Sequence, residues 1–284
     1  MIIAILGGLG AAAAWAVSTV CSSRSSRIID PASVVGWVML TGFVVAVPLA
    51  LARGVPAALS GSAGLWLAAA GAGNVAGLLL AYLALRVGRV ALLAPVMSTE
   101  GALAAVIAIL AGESIGPGVA ATLAVITGGV ALAALPGGSS PAHLEYRHAR
   151  SIGYGLAAVL AWGSSLYAAG RAGASLPTAW VAAAARVVGV PVVTIPLALS
   201  GRLHLTRAAA GLVLVTGIAE VLGFYAYTAG ARHGIAVAAV LSSQFGTLAA
   251  LLGFAFLHER LSRVQVCGVL VTVAGVAVLS SLQA

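Results

Sequence analysis

The chain has 284 residues, of which 62% are hydrophobic and only 7% are charged, and its formal net charge is +8. A soluble globular domain carries about 25% charged residues, so this composition excludes a water-covered surface for most of the chain. The sequence therefore predicts an all-α polytopic membrane protein whose surroundings are the lipid bilayer.

Apolar segments follow one another along the whole chain, and each is long enough to cross roughly 30 Å of hydrocarbon as a helix. They are continuous and rich in Ala and Leu, whereas the strands of a membrane barrel alternate between apolar and polar residues. Ten transmembrane helices are predicted, at 2–20, 33–52, 63–85, 90–111, 117–136, 152–170, 178–200, 208–230, 234–257 and 264–282.

The basic residues are all arginines, and they favour one side of the membrane. On that side lie Arg24, Arg27, Arg86, Arg89, Arg147, Arg150, Arg202, Arg207, Arg260 and Arg263, against Arg53, Arg171 and Arg232 on the other. The positive-inside rule then predicts an inner (cytoplasmic) membrane protein with a cytoplasmic 137–150 loop and both termini outside. Nucleic acid is not an expected partner, because no connection forms a basic, water-facing module.

The chain repeats itself at an offset of about 146 residues. "GAGNVAG" at 71–77 matches "GIAEVLG" at 217–223, and "GLGAAAAWAVS" at 8–18 matches "GLAAVLAWGSS" at 155–165. Five spans in each half would place the second half upside down relative to the first. We therefore predict two inverted five-helix repeats, 1–136 and 151–284, joined by the 137–150 loop, with a substrate site near the midplane between them.

"LAGES" at 110–114 and "FLHERLSRVQVCGVLVTVAGVAVL" at 256–279, with Pro95 in the fourth span, resemble the EamA pattern of the drug/metabolite transporter superfamily. The resemblance covers the chain twice. It implies secondary transport of small metabolites, often amino-acid efflux, and the YddG-type exporters of aromatic amino acids are the most similar group. In the first half "ESIGPG" departs from the usual basic, Gln-containing link, so no role is carried over to Glu113.

Charged side chains fall near the centres of predicted spans four, seven and eight: Glu100, Arg186 and Glu220. Each costs about 2.5–3.5 kcal/mol at that depth, so each is expected to have a partner or to face water. In the repeat, Asn74 lies opposite Glu220 and Ser98 lies opposite Gln244. Polar groups thus recur at one depth in both halves.

Aromatic side chains accompany these polar groups. Glu220, Phe224 and Tyr227 share one face of span eight. The predicted substrate-binding residues are Trp15, Asn74, Tyr82, Ser98, Glu100, Trp162, Ser165, Arg186, Glu220, Phe224, Tyr227 and Gln244.

The expected function is a secondary active transporter that exports amino acids or similar amphiphiles by alternating access through a midplane cavity. Arg186 would then pair with a substrate carboxylate and Glu220 with an amine. Glu100 either faces the pathway, where it is a candidate proton carrier, or pairs laterally with Arg186. An exporter of hydrophobic cationic drugs, uptake of an amphipathic anion, and a membrane assembly protein without transport activity are the alternatives.

No enzyme is expected, because no metal-binding or nucleophile motif is present. No cofactor and no metal are predicted. The choice between a monomer and a homodimer stays open.

Asp30 and Glu113 are interpreted as residues that cap helix ends.

Overall fold

Helices make up the regular structure of the part of the chain that the computed structural model describes, residues 2–87, 93, 96–133, 145–249, 252 and 263–281. In chain order they are α1 (Ile2–Ile28), α2 (Pro31–Leu51), α3 (Ser62–Val87), α4 (Glu100–Leu110), α5 (Pro117–Ala133), α6 (Glu145–Gly173), α7 (Thr178–Leu199), α8 (Arg207–Ala231), α9 (Ile235–Ser242) and α10 (Arg263–Ser281). A short 3-10 turn, Ala57–Ser60, precedes α3.

Within the described ranges, six helices are long and apolar enough to cross a membrane: α1, α2, α3, α6, α7 and α8. Shorter apolar helices lie at Glu100–Leu110, Pro117–Gly129 and Ile235–Ala249. The chain is therefore a polytopic helical membrane protein. Predicted spans 90–111, 117–136, 234–257 and 264–282 each include residues outside the described ranges, so the number of ten spans stays a prediction.

The start of α2 shows how the sequence sets a helix boundary. The Asp30 carboxylate accepts a hydrogen bond from the Ala32 backbone N–H at 3.0 Å, and Pro31 occupies the first helical turn. This confirms Asp30 as a capping residue. Arg86, at the end of α3, lies 3.3 Å from the same side chain and joins the two helix ends.

A tight reversal joins α8 to α9 through Gly234, whose φ of 145° lies in a region that side-chain-bearing residues rarely adopt. The Glu113 carboxylate accepts a hydrogen bond from the Ala236 backbone N–H at 3.1 Å, in the first turn of α9. This confirms that Glu113 caps a helix end, although that helix lies in the other half of the chain.

The helices pack in pairs that join the two halves of the chain. Helix α1 lies along α8, α3 along α6, α2 against α7, α4 against α9 and α5 against α10. These pairs are symmetric between the two halves. If each of α1 to α5 is replaced by the helix five places later, and each of α6 to α10 by the helix five places earlier, the same pairs result.

Within the described residues, turns interrupt the fourth and ninth predicted spans. Turns at residues 98–99 and 243–244 break them. At the first, the Thr99 hydroxyl donates to Val96 O at 2.7 Å, and at the second the Ser243 hydroxyl donates to Val240 O at 2.7 Å. Hydroxyls that bond the backbone three residues earlier can compete with the helical pattern, and they accompany the turns at both places. Glu100 consequently stands in the first turn of α4.

Small residues let helix backbones approach each other closely, as is common in membrane proteins. A methyl group on Gly7 of α1 would lie 2.5 Å from Ala226 O and 2.6 Å from Gly230 Cα of α8. The α1–α8 contact therefore depends on the absence of a side chain at Gly7.

We expect Gly7→Ala to lower the melting temperature of the purified protein in detergent, because the added methyl group has no space and overpacking costs about 1–3 kcal/mol. Gly128→Ala is the matched control, since nothing lies within 4 Å of a methyl group there. Equal melting temperatures for the two variants would contradict this account of the α1–α8 contact.

Candidate functional site

A cavity of about 40 Å³ lies between α1, α3, α4, α6 and α8. Its volume is sufficient for a few water molecules, and an amphiphile the size of an amino acid would enter only if the walls moved apart. The lining residues are Trp15, Ser18, Thr19, Ser22, Asn74, Leu78, Ala81, Tyr82, Leu85, Met97, Glu100, Trp162, Ser165, Leu166, Glu220, Phe224 and Phe245.

An ion pair is buried beside this cavity. Arg186 Nη2 of α7 lies 3.7 Å from Glu220 Oε2 of α8, and the two residues are 0% and 5% exposed. The other carboxylate oxygen, Oε1, accepts a hydrogen bond from the Ser18 hydroxyl at 2.8 Å. The Arg186 guanidinium also lies 5.5 Å from the centre of the Phe224 ring, a cation–π distance. Arg186, Glu220 and Ser18 thereby connect α7, α8 and α1.

Helix α2 provides the space for the Arg186 side chain. A methyl group on Gly42 would lie 2.7 Å from Arg186 Nε and 2.9 Å from its Cγ. Four residues after Arg186, α7 widens into a π-helical turn at Val190–Thr194 that contains Pro191. There the Thr194 hydroxyl donates to Gly36 O at 2.8 Å, which fixes this part of α7 against α2.

Glu100 lines the cavity from the first turn of α4, and the residue is 4% exposed. Its Oε2 atom is buried and accepts no hydrogen bond. The same is true of Asn74 Oδ1, on α3, in a side chain that also lines the cavity. Two unpaired donors, Trp15 Nε1 and the Tyr82 hydroxyl, belong to other lining residues. Buried polar atoms normally have partners, so this concentration in one cavity indicates a place where a ligand or water binds.

Two tryptophans form matching parts of the cavity wall. The Trp15 indole of α1 lies against Gly223 of α8, and the Trp162 indole of α6 lies against Gly77 of α3; in both places a methyl group on the glycine would overlap the ring. Trp15 also meets Phe224 edge to face, with ring centres 5.3 Å apart. Because neither glycine has a side chain, each indole ring can lie directly against the backbone of the facing helix.

Tyr227 closes one end of the cavity. Its hydroxyl donates to Leu166 O of α6 at 2.8 Å, and its ring centre lies 6.2 Å from that of Trp15. Nearby, the Ser165 hydroxyl donates to Ala70 O of α3 at 2.7 Å. These contacts join α6, α3 and α8 at the level where the cavity ends.

A second and larger space lies beyond this closure. It has a volume of about 880 Å³ and is lined by the start of α3, the end of α6 and the end of α8. Arg171 lies 5.9 Å from the Trp66 ring centre, and Arg232 donates to Gly173 O and Leu176 O. Trp66 and Asn74 are separated by about 12 Å along α3, at 1.5 Å per residue. We call this space the vestibule.

The structure brings most of the predicted site residues together. Those that line the cavity are Trp15, Asn74, Tyr82, Glu100, Trp162, Ser165, Glu220 and Phe224. The others do not line it: Ser98, Arg186, Tyr227 and Gln244. Arg186 is directed to Glu220, Tyr227 lies at the closed end, and the Gln244 amide donates to Val240 O at 3.2 Å. Ser98 is buried at the break before α4.

The lateral pairing of Glu100 with Arg186, one of the two alternatives drawn from the sequence, is not the arrangement in the structure, because Arg186 pairs with Glu220. Nine lining residues were not among the predicted site residues: Ser18, Thr19, Ser22, Leu78, Ala81, Leu85, Met97, Leu166 and Phe245. The "ST" at 18–19 and the "SS" at 22–23 were the available signal, since hydroxyls are unusual in so apolar a helix. Within the described ranges, no three His, Cys, Asp or Glu side chains come together as a metal site.

A bundle of apolar helices around a buried polar and aromatic cavity defines an integral membrane protein. The chain belongs to the EamA-like transporter family, whose sequence profile matches it twice, over residues 2–135 and 149–281. Members of this family are transporters and not enzymes, so the chain is a membrane transporter of small molecules.

One solved crystal structure, described without a name or a function, has the same fold. It is 22% identical in sequence, with a TM-score of 0.75, and the alignment covers 98% of this chain and 96% of the other. No curated protein matches the sequence.

We expect Arg186→Met and Glu220→Gln each to destabilise the protein, because either change leaves a buried charge without its partner, at about 3–5 kcal/mol. The double variant should be more stable than the sum of the single effects predicts, since it removes both charges. Unfolding of the detergent-solubilised protein by heat or denaturant measures all three. Strictly additive effects would show that the two side chains do not depend on each other.

Proposed function

We propose that this transporter moves small amphiphilic solutes, amino acids foremost among them, by alternating access through the cavity between the two halves of the chain. The observation that carries the proposal is the cavity itself: charged groups and aromatic rings, buried in an apolar bundle, converge from helices of both halves. Small-molecule sites commonly combine an apolar wall with a few placed polar groups.

An inverted repeat supports the alternating-access part of the proposal. The helix pairing is unchanged when the halves are exchanged, and the Trp15–Gly223 contact has a counterpart in Trp162–Gly77. A structure built this way has two related conformations that differ in which side is closed. We propose that the repeats are 1–136 and 151–284, with ten spans in an inner membrane and both termini outside.

The positions of the cavity and the vestibule fit the same mechanism. Tyr227 and Leu166 lie between the two spaces. In the first half, the repeat places Ala81 at the position of Tyr227 and Thr19 at that of Leu166, and both of these line the open cavity. The two equivalent positions therefore differ, a tyrosine in one half and an alanine in the other, and this difference supports a conformation in which the two sides of the cavity are not equivalent.

The proposed substrate contacts follow from the lining. Trp15, Trp162, Tyr82 and Phe224 offer ring faces and edges for an apolar or aromatic part of the solute. Ser165, Asn74, Glu100 and Glu220 offer polar groups along the same wall. Arg186, Tyr227, Ser98 and Gln244 would contact a solute only in a conformation in which the helices have moved.

Counterflow of labelled amino acids into proteoliposomes, at two pH values, tests the proposal. We expect uptake above that of protein-free vesicles. Trp162→Ala should lower it roughly tenfold, since a lost aromatic contact and its buried area are worth about 1–2 kcal/mol.

Trp180→Ala is the matched control, because Trp180 lies outside the cavity and bonds Gly54 O through its indole N–H at 3.0 Å. It should transport as the wild type does. Absence of uptake for every amino acid tested would contradict the proposed substrate class, and equal losses in both variants would contradict the proposed site.

A further inference from the structure

We infer that this cavity recognises an ammonium group and that Glu100 is its counter-ion, so that the substrate class is amphiphilic amines for which a free carboxylate is dispensable. The inference rests on the proposed function, since it concerns the same cavity. It changes the roles expected from the sequence, in which Glu220 takes the amine and Arg186 the carboxylate.

The balance of charge in the cavity is the first argument. Among the described residues that line it, the charged ones are Glu100 and Glu220. Glu220 is compensated by Arg186, whose Nη2 lies 3.7 Å from its Oε2. With all three groups ionised, their formal charges sum to −1, and Glu100 is the one for which the described residues provide no ion-pair partner. An uncompensated carboxylate in an apolar bundle is costly, and a bound cation would remove that cost.

The distribution of hydrogen bonds points to the same carboxylate. Glu220 Oε1 accepts a hydrogen bond from the Ser18 hydroxyl at 2.8 Å, and Glu220 Oε2 forms an ion pair with Arg186 at 3.7 Å, beyond hydrogen-bond distance. Glu100 Oε2 and Asn74 Oδ1 are buried acceptors without a partner, and both side chains line the cavity. A primary ammonium group has several N–H donors and no acceptor, so it complements unpaired acceptors of this kind.

The aromatic wall is the third argument. Trp15, Trp162, Tyr82, Phe224 and Phe245 all contribute to the lining. Ring faces attract an ammonium group through their quadrupole and also accommodate an apolar chain. The site thus offers an amine the Glu100 carboxylate for its ammonium group and aromatic rings for its apolar part.

A substrate carboxylate would find much less. Arg186 does not line the cavity: its Nη2 lies 3.7 Å from Glu220 Oε2 and its guanidinium lies 5.5 Å from the Phe224 ring centre. Its three side-chain nitrogens donate no hydrogen bond, but a carboxylate in the cavity would reach them only if the helices moved. The unpaired donors within the lining are neutral, the Trp15 indole N–H and the Tyr82 hydroxyl. A carboxylate next to Glu100 would also be repelled by it. An amine should therefore bind at least as well as its amino acid, and an N-acylated amino acid should bind much more weakly.

Isothermal titration calorimetry on the detergent-purified full chain tests this with three probes that share one ring: 2-phenylethylamine, phenylalanine and N-acetylphenylalanine. We expect the amine to bind the wild type at least tenfold more tightly than the N-acetylated acid. Glu100→Gln should weaken the amine at least tenfold and leave the N-acetylated acid unchanged or improved.

Two further variants keep the result interpretable. Glu113→Gln removes a carboxylate that bonds Ala236 N outside the cavity, and it should leave all three affinities unchanged. The double variant Glu100→Gln with Asn74→Asp moves the charge across the cavity and should restore a preference for the amine. Recovery there would separate loss of charge from loss of folding.

The outcomes distinguish the inference from the proposed function. Tighter binding of N-acetylphenylalanine than of the amine, or an amine affinity unaffected by Glu100→Gln, overturns the inference while the proposed transport of small amphiphiles stands. Failure of all three probes to bind the folded wild type also overturns the inference, and the counterflow experiment with other amino acids then decides the proposed function separately.

Discussion

The buried pair between Arg186 and Glu220 is the interaction on which the rest of the site depends. Neither charge is stable alone in an apolar bundle, so α7 and α8 must stay in a relation that keeps their side chains together. Helix α1 is joined to this pair by the hydrogen bond from the Ser18 hydroxyl to Glu220. Helix α2 packs directly against the Arg186 side chain at Gly42, where a methyl group would have no space. Because Arg186 and Glu220 compensate each other's charge, we infer that the carboxylate available to a ligand is Glu100, on α4.

Much of the general arrangement could be predicted from the sequence, for physical reasons. An apolar composition leaves a chain only the bilayer as its surroundings, and repeated Trp, Gly and Glu positions reveal the two halves. Counting along apolar runs places Glu100, Arg186 and Glu220 near the middle of their predicted spans, and the structure brings the three side chains to one cavity or directly beside it. Eight of the predicted residues do line one cavity.

The partners themselves could not be predicted. The carboxylate that pairs with Arg186 is determined by the rotation of α7 about its axis and by which helix packs against that face. The spacing of residues along one helix gives neither. The break at 98–99 could not be predicted either, since the apolar pattern continues through it and does not reveal the hydrogen bond from the Thr99 hydroxyl to Val96 O. Thr19 lines the cavity although its hydroxyl bonds the Trp15 carbonyl at 2.8 Å, as serines and threonines do on any face of a helix.

The contacts of Trp15 with Gly223 and of Trp162 with Gly77 constrain how the sequence can diverge. A larger residue at either glycine is compatible with the fold only if the facing indole shrinks or the two helices separate. Positions 15 and 223 should therefore vary in a coordinated way among homologues, as should positions 162 and 77. A homologue with glycine at position 15 and tryptophan at position 223 would keep the volume of the wall. Its indole would then project from α8 instead of α1 and would present a different aromatic surface to the solute.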